Sequence, residues 1–393
     1  MSDPSRSKDA SPSGSLVFTF SLETMDDAIR REFCRPPDQT LLALARDARV
    51  TALSAVDPWR SWPVDIVKRR PIRQCSRVSM PSGSVWRLRP RRFRRTDPTE
   101  SSRLRHGYKH YATWIGAHLP SDHTDAATLI TFHPFVAAWA QAPWIRRRIF
   151  VGRDDWASSP RERPWWNAYR DAYREIAAGC DEIFAVSQEV ADRLSPERAI
   201  VVPNGIDAGR WQVLRAQPVE LDNLPRPIGI YAGTVDNRID VNSLIEARRV
   251  LPSIVIAGPR GDGSTAAALE GLPGIHLLGS LSQDQLVAVI QNADVGLIPH
   301  RDTPLTRGMS PLKLFEYLGG GIPVVSTNLP PVRDVSERVM LCDSVEEWAP
   351  AVAAAAEMGH MNEPDRLSVV ASLSWEARLR PIVDAAIGVP PQR

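Results

Sequence analysis

The sequence predicts an α/β protein with two doubly wound domains, and three observations support this. Short apolar runs typical of buried strands alternate with amphipathic, helix-like stretches along most of the chain. An irregular, proline-containing stretch after Asp207 separates two such series. The length of 393 residues, with 43% hydrophobic and 24% charged residues, suits about two globular domains. We therefore expect a ligand cleft between two parallel sheets, at the carboxyl ends of their strands.

The first domain is expected over residues 15–207, after a tail at 1–14 that is rich in serine, proline and charge and is expected to be disordered. Its apolar runs and periodic stretches predict strands at 16–20, 50–55, 127–132, 148–151, 181–186 and 199–202, and helices at 38–48, 164–178 and 187–194.

A linker at 208–227 is expected to lead into a second domain over 228–371, followed by a C-terminal helix and tail at 372–393. The pattern predicts strands at 228–232, 254–257, 275–278, 294–298, 323–326 and 338–342, and helices near 240–250, 264–271, 282–291, 311–318, 344–357 and 372–387. The last helix could pack on either domain.

Several classes of protein are excluded by what the sequence lacks. No apolar stretch is long enough for a membrane-spanning helix, and the N-terminus is too polar for a signal peptide, so we expect a cytosolic location. The four cysteines are scattered and form no C-x-x-C pair, which argues against a zinc ribbon or a disulfide scaffold.

The net charge of +2 conceals an asymmetry along the chain. Residues 1–200 contain 32 basic and 24 acidic side chains, whereas residues 201–393 contain 16 and 22. Of the 48 basic residues, only Lys8, Lys68, Lys109 and Lys313 are lysines. A lysine in this arginine-rich chain therefore invites a chemical explanation.

The stretch 309–327, MSPLKLFEYLGGGIPVVST, predicts a short helix with defined ends. Ser310 is a good N-cap, Pro311 suits the first helical position, and the glycines at 319–321 supply a C-cap. The free N–H groups at such a helix start attract anions. Lys313, near the third helical position, would bind a diphosphate there, and Glu316 could accept hydrogen bonds from a ribose. The alternative is an ordinary surface pair of Lys313 and Glu316.

Four stretches together resemble the donor half of a GT-B glycosyltransferase of the GT4-like group. They are SPLKLFEYLGGGIPVVST, VVPNGID at 201–207, IYAGTVDNRID at 230–240 and LGSLSQDQLVAVIQNADVGLIP at 278–299. Within that group the chain looks most similar to bacterial enzymes of polysaccharide and teichuronic-acid assembly with an SPxKLFEYLA signature. The resemblance implies two Rossmann-like domains that face each other across a cleft.

The resemblance also implies roles for individual residues. Glu316 would hold the nucleotide ribose, and Lys313 and the amides after Ser310 would hold the diphosphate, so that Ser310, Pro311 and Leu312 at this helix start belong to the donor site. Gly233 would face the donor phosphates, with Arg238 as a nearby cation. Backbone groups at Leu278 and Gly279 would contact the base, and Arg307 would also lie at the donor.

The chain departs from the group at one position. Many GT4 enzymes carry a first glutamate eight residues before the ribose glutamate, and here that position is Gly308, beside Arg307. The contact with the sugar hydroxyls, and the stereochemical outcome, therefore stay open. No D-x-D motif occurs, which argues against a metal-dependent GT-A transferase, so we expect neither a metal nor a cofactor beyond the donor substrate.

The first domain offers three candidate catalytic residues. Asp154 and Asp155 in GRDDW follow a predicted strand, and a carboxylate there could deprotonate an acceptor hydroxyl. A turn or helix-capping pair is the alternative. His133 in TFHPF also follows a strand, with a structural histidine as its alternative.

The run 66–111 contains 14 basic residues against two acidic ones, and it lies in the tryptophan-rich part of the chain. This combination suits contact with an anionic membrane face and a lipid-linked acceptor. A plain solvated loop and nucleic-acid binding are the competing interpretations, and no nucleic-acid-binding motif accompanies the charge.

The sequence therefore favours an enzyme that transfers a sugar from a nucleotide-diphosphate donor to a hydroxyl acceptor. An epimerase of the same architecture and a catalytically silent nucleotide-sugar-binding subunit are the alternatives. The sugar, the base, the acceptor and the stereochemistry stay open.

Overall fold

A computed structural model describes residues 14–61, 66–67, 73–123, 126–261 and 263–390. All but the last residue of the expected N-terminal tail at 1–14 therefore lies outside the described residues. The described chain divides into two compact units. The first unit contains the residues up to Val202 together with those from Leu379 onward, and the second contains Pro203–Arg378.

The first unit is built on an eight-stranded sheet with the order β10-β9-β8-β7-β1-β2-β5-β4. Every neighbouring pair is parallel except β4 and β5, which form an antiparallel hairpin. Strands β3 and β6 pair separately. The strands are β1 Ser15–Thr19, β2 Ala52–Val56, β3 Arg60–Ser61, β4 Cys75–Met80, β5 Gly83–Leu88, β6 Arg91–Arg92, β7 Ala127–Thr131, β8 Ile145–Gly152, β9 Glu182–Ala185 and β10 Ile200–Val201.

The central strands of this sheet are buried on both faces, as parallel strands usually are, because helices cover the sheet. They are α1 Met25–Arg30, α2 Pro36–Arg46, α3 Ser101–His118, α4 Pro134–Trp139, α5 Trp166–Gly179 and α6 Gln188–Leu194. Helices α3, α4 and α5 pack their aromatic and alanine side chains into one large core.

The second unit has a fully parallel six-stranded sheet with the order β13-β12-β11-β14-β15-β16 and a separate hydrophobic core on each face. Its strands are β11 Ile228–Ala232, β12 Ser253–Ala257, β13 Ile275–Gly279, β14 Val295–Ile298, β15 Val324–Thr327 and β16 Val339–Cys342. The helices are α7 Ala208–Trp211, α8 Val241–Ala247, α9 Gly263–Glu270, α10 Gln283–Gln291, α11 Pro304–Gly308, α12 Leu312–Gly319, α13 Trp348–Met358, α14 Glu363–Ser372 and α15 Trp375–Ala386.

The structure contains elements that the sequence prediction lacks. The hairpin β4–β5 and the long helix α3 were not predicted. The stretch 208–227, expected as a linker, contains α7 and a 3-10 turn, and its Trp211 and Leu221 are buried in the core of the second unit. The helix expected over 372–387 is present as α15 at Trp375–Ala386, and α14 before it was not predicted. Within the described ranges, no helix has the length and apolar character to span a membrane.

Candidate donor and acceptor sites

Three glycines meet at the carboxyl ends of neighbouring strands β11, β12 and β13. The amide of Gly233 donates to the carbonyl of Ala257, and the amide of Gly258 donates to the carbonyl of Gly279. Gly233 has a φ of +142°, which a residue with a side chain rarely adopts. Leu278, the neighbour of Gly279, is partly buried against the core. The chain therefore forms a side-chain-free rim, as expected where backbone closely approaches a ligand.

Helix α12 is held close to this rim by its buried face. The hydroxyl of Tyr317 accepts a hydrogen bond from the amide of Ala232 at 2.7 Å. Its ring lies against Gly296, where an added Cβ would come within 2.5 Å of the ring carbon Cγ. The chain leaves the helix through Gly321 with a φ of +82°, so the predicted glycine C-cap is confirmed.

The start of α12 differs from the predicted cap. The helix begins at Leu312 with Pro311 as its N-cap, so Lys313 is the second helical residue. Ser310 does not cap the helix, and the prediction that it does was wrong. Its hydroxyl instead accepts a hydrogen bond from the amide of Asn204, whose side chain donates to the Ser310 carbonyl at 2.7 Å. A residue from the start of the second unit thus fixes this helix end.

Lys313 lies over the end of strand β11 in a half-buried position. Its Nζ is 3.9 Å from the centre of the Tyr231 ring and 3.1 Å from Nε2 of His300. Burial, followed by the charge of Arg238, lowers the pKa of Lys313 to about 7, although nearby carboxylates oppose the change. Burial and the two neighbouring cations also hold the pKa of His300 well below its usual range. A neutral His300 can accept a hydrogen bond from the Lys313 ammonium group.

Glu316 lies one turn further along α12, on the same side of the helix as Lys313. Burial raises the pKa of its carboxyl to about 7, and the charge of Lys313 acts in the opposite direction. In the part of the chain that the structure describes, no group donates a hydrogen bond to this carboxylate. Glu316 is therefore a half-buried acceptor whose hydrogen-bonding capacity is unused.

The two predicted arginines have protein partners. Arg238 forms a fork with Asp236, at 2.6 Å for the Nη2 contact, and its charge acts on Lys313. Arg307, on the short helix α11, forms a similar fork with Asp302 and is mostly exposed. The structure thus brings the charge of Arg238 to Lys313, whereas the fork of Arg307 lies on Asp302.

Among the first-unit candidates, His133 lines a polar cavity of ≈ 260 Å³. It caps helix α4, because its Nδ1 accepts a hydrogen bond from the amide of Phe135. Burial lowers the pKa of His133 to about 4, so the ring is neutral at pH 7 with its proton on Nε2. Nε2 lies 3.2 Å from the hydroxyl oxygen of Tyr108, to which it donates. The Tyr108 hydroxyl in turn donates to the carboxylate of Asp97 at 3.0 Å.

Asp154 and Asp155 do not line this cavity. Asp155 is buried, and its carboxylate accepts hydrogen bonds from the amide of Ala157 and the hydroxyls of Ser158 and Tyr173. Asp154 accepts from Arg153 at 2.9 Å. These contacts are typical of a pair of aspartates that stabilises a turn, which is the alternative to a catalytic role that the sequence left open.

Sequence reasoning missed several residues that these sites use. Tyr231 in strand β11 and His300, which follows strand β14, contact Lys313. Tyr108 contacts His133 from outside its own segment, and Asp97 accepts a hydrogen bond from Tyr108. Only His300 carried a usable signal, because it follows the predicted strand 294–298 almost directly. Among the described residues, no group of three or more His, Cys, Asp or Glu side chains is arranged to hold a metal ion.

Comparison with known proteins identifies a domain within the second unit. Residues 226–357 match the family model described as "Glycosyl transferases group 1". The second unit carries a group 1 glycosyltransferase domain. The matched range includes Gly233, Lys313 and Glu316, so the rim and helix α12 belong to the glycosyltransferase domain itself.

One related protein is TuaH of Bacillus subtilis, whose name describes a teichuronic acid biosynthesis glycosyltransferase. The two sequences are 31% identical over 173 residues, which is 41% of this chain. The match spans 38% of the length of TuaH. This relationship supports the predicted resemblance over the matched part of the chain.

Solved structures with the same fold extend the comparison over almost the whole chain. A trehalose 6-phosphate synthase from Burkholderia multivorans superposes with a TM-score of 0.66 at 13% identity, covering 95% of this chain and 98% of its own. A trehalose-phosphate synthase from Burkholderia vietnamiensis gives a TM-score of 0.67 at 12% identity, covering 96% and 98%. The predicted GT-B fold, with two Rossmann-like domains, is therefore confirmed.

Proposed function

We propose that the protein transfers a sugar from a nucleotide-diphosphate donor to a hydroxyl acceptor, in the assembly of a bacterial polysaccharide or glycoconjugate. The observation that carries this proposal is the group formed by the glycine rim, Lys313 and Glu316 inside the glycosyltransferase domain. A diphosphate at the rim would receive the charge of Lys313 and Arg238 and the free amides at the start of α12. The unused carboxylate of Glu316 can accept the two ribose hydroxyls.

In the proposed reaction, the bond between the anomeric carbon and the diphosphate oxygen breaks while the acceptor oxygen bonds to that carbon. Negative charge develops on the departing diphosphate, and fixed cations and amides at that point lower the barrier. We place the acceptor in the polar cavity of the first unit. There Asp97 can accept a hydrogen bond from an acceptor hydroxyl, and the N–H at Nε2 of His133, which faces the hydroxyl of Tyr108, positions that tyrosine at the cavity wall.

The proposed roles of the three candidate catalytic residues differ. Because Nδ1 of His133 is already engaged, its Nε2 carries a proton and suits positioning rather than removal of a proton. Asp154 does not line the polar cavity, but its partner Arg153 also pairs with Glu23, beside the cavity-lining Leu22 and Thr24. Because Asp154 is partly exposed, it stays the candidate for the base that takes the proton of the acceptor hydroxyl. The carboxylate of Asp155 already accepts hydrogen bonds from Ala157, Ser158 and Tyr173, which favours a structural role.

We propose that the transfer needs neither a metal ion nor another cofactor. The support is that protein cations, Lys313 and Arg238, lie where diphosphate charge would be neutralised, and that the sequence contains no D-x-D motif. Activity that survives dialysis against EDTA is the expected result. Loss of activity on chelation and its recovery with Mg²⁺ would contradict this part of the proposal.

Titration calorimetry with a panel of nucleotide sugars, followed by a donor-hydrolysis assay, tests the function as a whole. We expect one donor to bind and to be hydrolysed slowly. Binding without turnover with any acceptor would instead favour a silent nucleotide-sugar-binding subunit, an alternative motivated by Gly308. Interconversion of the sugar without transfer would favour an epimerase, and absence of binding would refute the donor site.

We also propose a cytoplasmic location with peripheral contact at the inner face of the membrane, through described residues of 66–111. The support is the basic surface of this segment, its exposed Phe93, and the four free cysteines, which suit a reducing compartment. Co-sedimentation with anionic vesicles that weakens as salt rises is expected. Absent or salt-insensitive binding would contradict it, and stronger binding to duplex DNA would favour the nucleic-acid interpretation.

A further inference from the structure

A second cavity of ≈ 530 Å³ opens on the first unit next to the polar cavity. We call it the trough, and it is formed by the segment after β6 and the first turns of α3. Its apolar lining comes from the residues Trp59, Phe93, Pro98, Leu104, Gly107 and Tyr108. A largely apolar opening of this volume is typical of a site that takes a hydrophobic group.

Two features of the trough have no explanation in the packing of the core. Phe93 leaves 77% of its surface exposed, which is unusual for a large aromatic side chain. Gly107 interrupts the middle of the 18-residue helix α3, where glycine disfavours the helix by about 1 kcal/mol relative to alanine. An added Cβ at 107 would meet only the Trp59 ring, at an ordinary 3.5 Å. The backbone at 107 does not require glycine. The main consequence of glycine at this position is therefore that the trough stays open.

The lining of the trough is also positively charged. Arg92, Arg94 and Arg103 line it, against Asp97 alone among its acidic residues. Arg92 is paired with Asp97, and Arg103 lies 3.9 Å from Glu100. Arginines at the edge of an apolar surface complement a ligand that has both a hydrocarbon part and a phosphate.

The trough and the polar cavity adjoin each other. Trp59, Arg92, Asp97 and Tyr108 line both of them. A ligand bound at this junction would have the apolar lining on one side and, past the arginines, the carboxylate of Asp97 and the polar cavity on the other. This order of surfaces matches a molecule with a hydrocarbon tail, an anionic linkage and a polar head.

We propose that the trough holds the hydrocarbon tail of a lipid-linked acceptor, with its phosphate at the arginines and its hydroxyl-bearing head in the polar cavity. This inference rests on the proposed function and names the class of acceptor. The trough is a binding site for a single lipid chain, as distinct from a surface that lies on a membrane.

Binding of alkyl phosphates to the full chain tests the trough without using a donor. Decyl phosphate, kept below its micellar concentration, is compared with butyl phosphate and inorganic phosphate by calorimetry. We expect decyl phosphate to bind at least about tenfold more tightly than butyl phosphate, because six further methylenes enter an apolar site. Equal affinity for the two alkyl chains, or binding to anionic vesicles but not to monomeric decyl phosphate, would overturn the proposal.

Variants on helix α3 and in the segment before it test whether decyl phosphate binds in the trough. Gly107→Leu fills the trough, and we expect it to weaken decyl phosphate binding at least about tenfold, to the level of butyl phosphate. Thr113→Leu adds the same side chain at an exposed position of the same helix that does not line the trough, and it should leave binding unchanged. Phe93→Ser provides an independent variant should Gly107→Leu unfold.

Unchanged decyl phosphate binding in folded Gly107→Leu or Phe93→Ser would overturn the assignment. Titration of the same samples with UDP or GDP distinguishes the two proposals. Nucleotide binding without any chain-length effect refutes the trough alone, whereas absence of nucleotide binding refutes the donor site.

Discussion

Lys313 and Glu316 share one helical turn, and burial moves the pKa of both toward about 7 from opposite sides. For Lys313 the lowered pKa means that the neutral amine gains population as the pH rises through about 7. For Glu316 the raised pKa means that the protonated acid gains population as the pH falls through about 7. A bound diphosphate favours the charged lysine and a bound ribose favours the charged glutamate, so both groups gain charge in the complex.

Replacing either residue should weaken nucleotide binding. We expect Lys313→Ala or Glu316→Ala to lower the affinity for UDP or GDP at least tenfold, about 1.4 kcal/mol, because each removes a contact with the diphosphate or the ribose. Titration calorimetry measures the effect, and Lys109→Ala, an exposed lysine of the first unit, is the control. Unchanged affinity in both variants would refute the donor assignment.

Proton exchange on binding provides a second test at this scale. At pH 8 the free protein holds Lys313 largely neutral, and the bound diphosphate raises its pKa, so binding should take up a proton. Calorimetry in buffers of different ionisation enthalpy measures this uptake, which we expect to approach about one proton. Lys313→Met should abolish it. Uptake that persists in this variant would assign the proton to another group.

At the residue scale, the sequence predicted Lys313 and Glu316 as a pair because their spacing on one helix is local. It did not predict the partners Tyr231, in strand β11, and His300, just after strand β14, which the sheet order brings next to α12. The role of Asp155, structural or catalytic, could not be decided from the sequence because one of its partners also lies on another element. Its partner Tyr173 lies on α5, beyond the turn that the GRDDW motif describes.

At the scale of elements, the position of α12 depends on the close approach of Tyr317 to Gly296. Gly296→Ala should therefore displace the ring and lower the free energy of unfolding by about 1–3 kcal/mol, as expected for overpacking. Gly271→Ala, where an added Cβ meets nothing within 4 Å, is the matched control. Chemical denaturation measures both, and equal stability of the two variants would contradict this account.

Strand and helix predictions succeeded where apolar runs are continuous, as in the parallel strands of the second unit. The hairpin β4–β5 was missed because polar residues also occupy positions that are not exposed, Ser76 in β4 and the buried Arg87 in β5, which breaks the alternation of apolar and polar residues. Helix α3 was missed because its polar residues surround only a few buried ones, including Leu104 and Ile115. Both elements depend on tertiary packing more than on their own sequence pattern.

At the scale of the whole molecule, the chain passes between the units twice, after Val202 and after Arg378. The second crossing falls inside α15, whose final residues belong to the first unit. There Arg147 donates a hydrogen bond to the carbonyl of Ala385, and Arg49 pairs with Asp384. In the second unit, Ile206 exchanges backbone hydrogen bonds with Leu373 and Trp375, so the two ends of this unit lie side by side.

The second unit should therefore fold without the first. A fragment of residues 203–378 keeps both of its hydrophobic cores and the whole group around Lys313. We expect a cooperative unfolding transition and an affinity for UDP or GDP within about threefold of the full chain, a difference below about 0.7 kcal/mol. A fragment that unfolds without cooperativity, or that loses nucleotide binding, would contradict this prediction.

The double crossing makes the second unit an insertion within the first. Because the two ends of the inserted segment are neighbours, a homologous segment of another transferase could replace it through only two junctions, near 202 and 378. A single exchange would then carry the whole of the proposed nucleotide site, while the trough and the polar cavity would remain with the host. Chimeras of this kind could combine a new donor with an unchanged acceptor, which gives this family of folds a direct route to new sugar linkages.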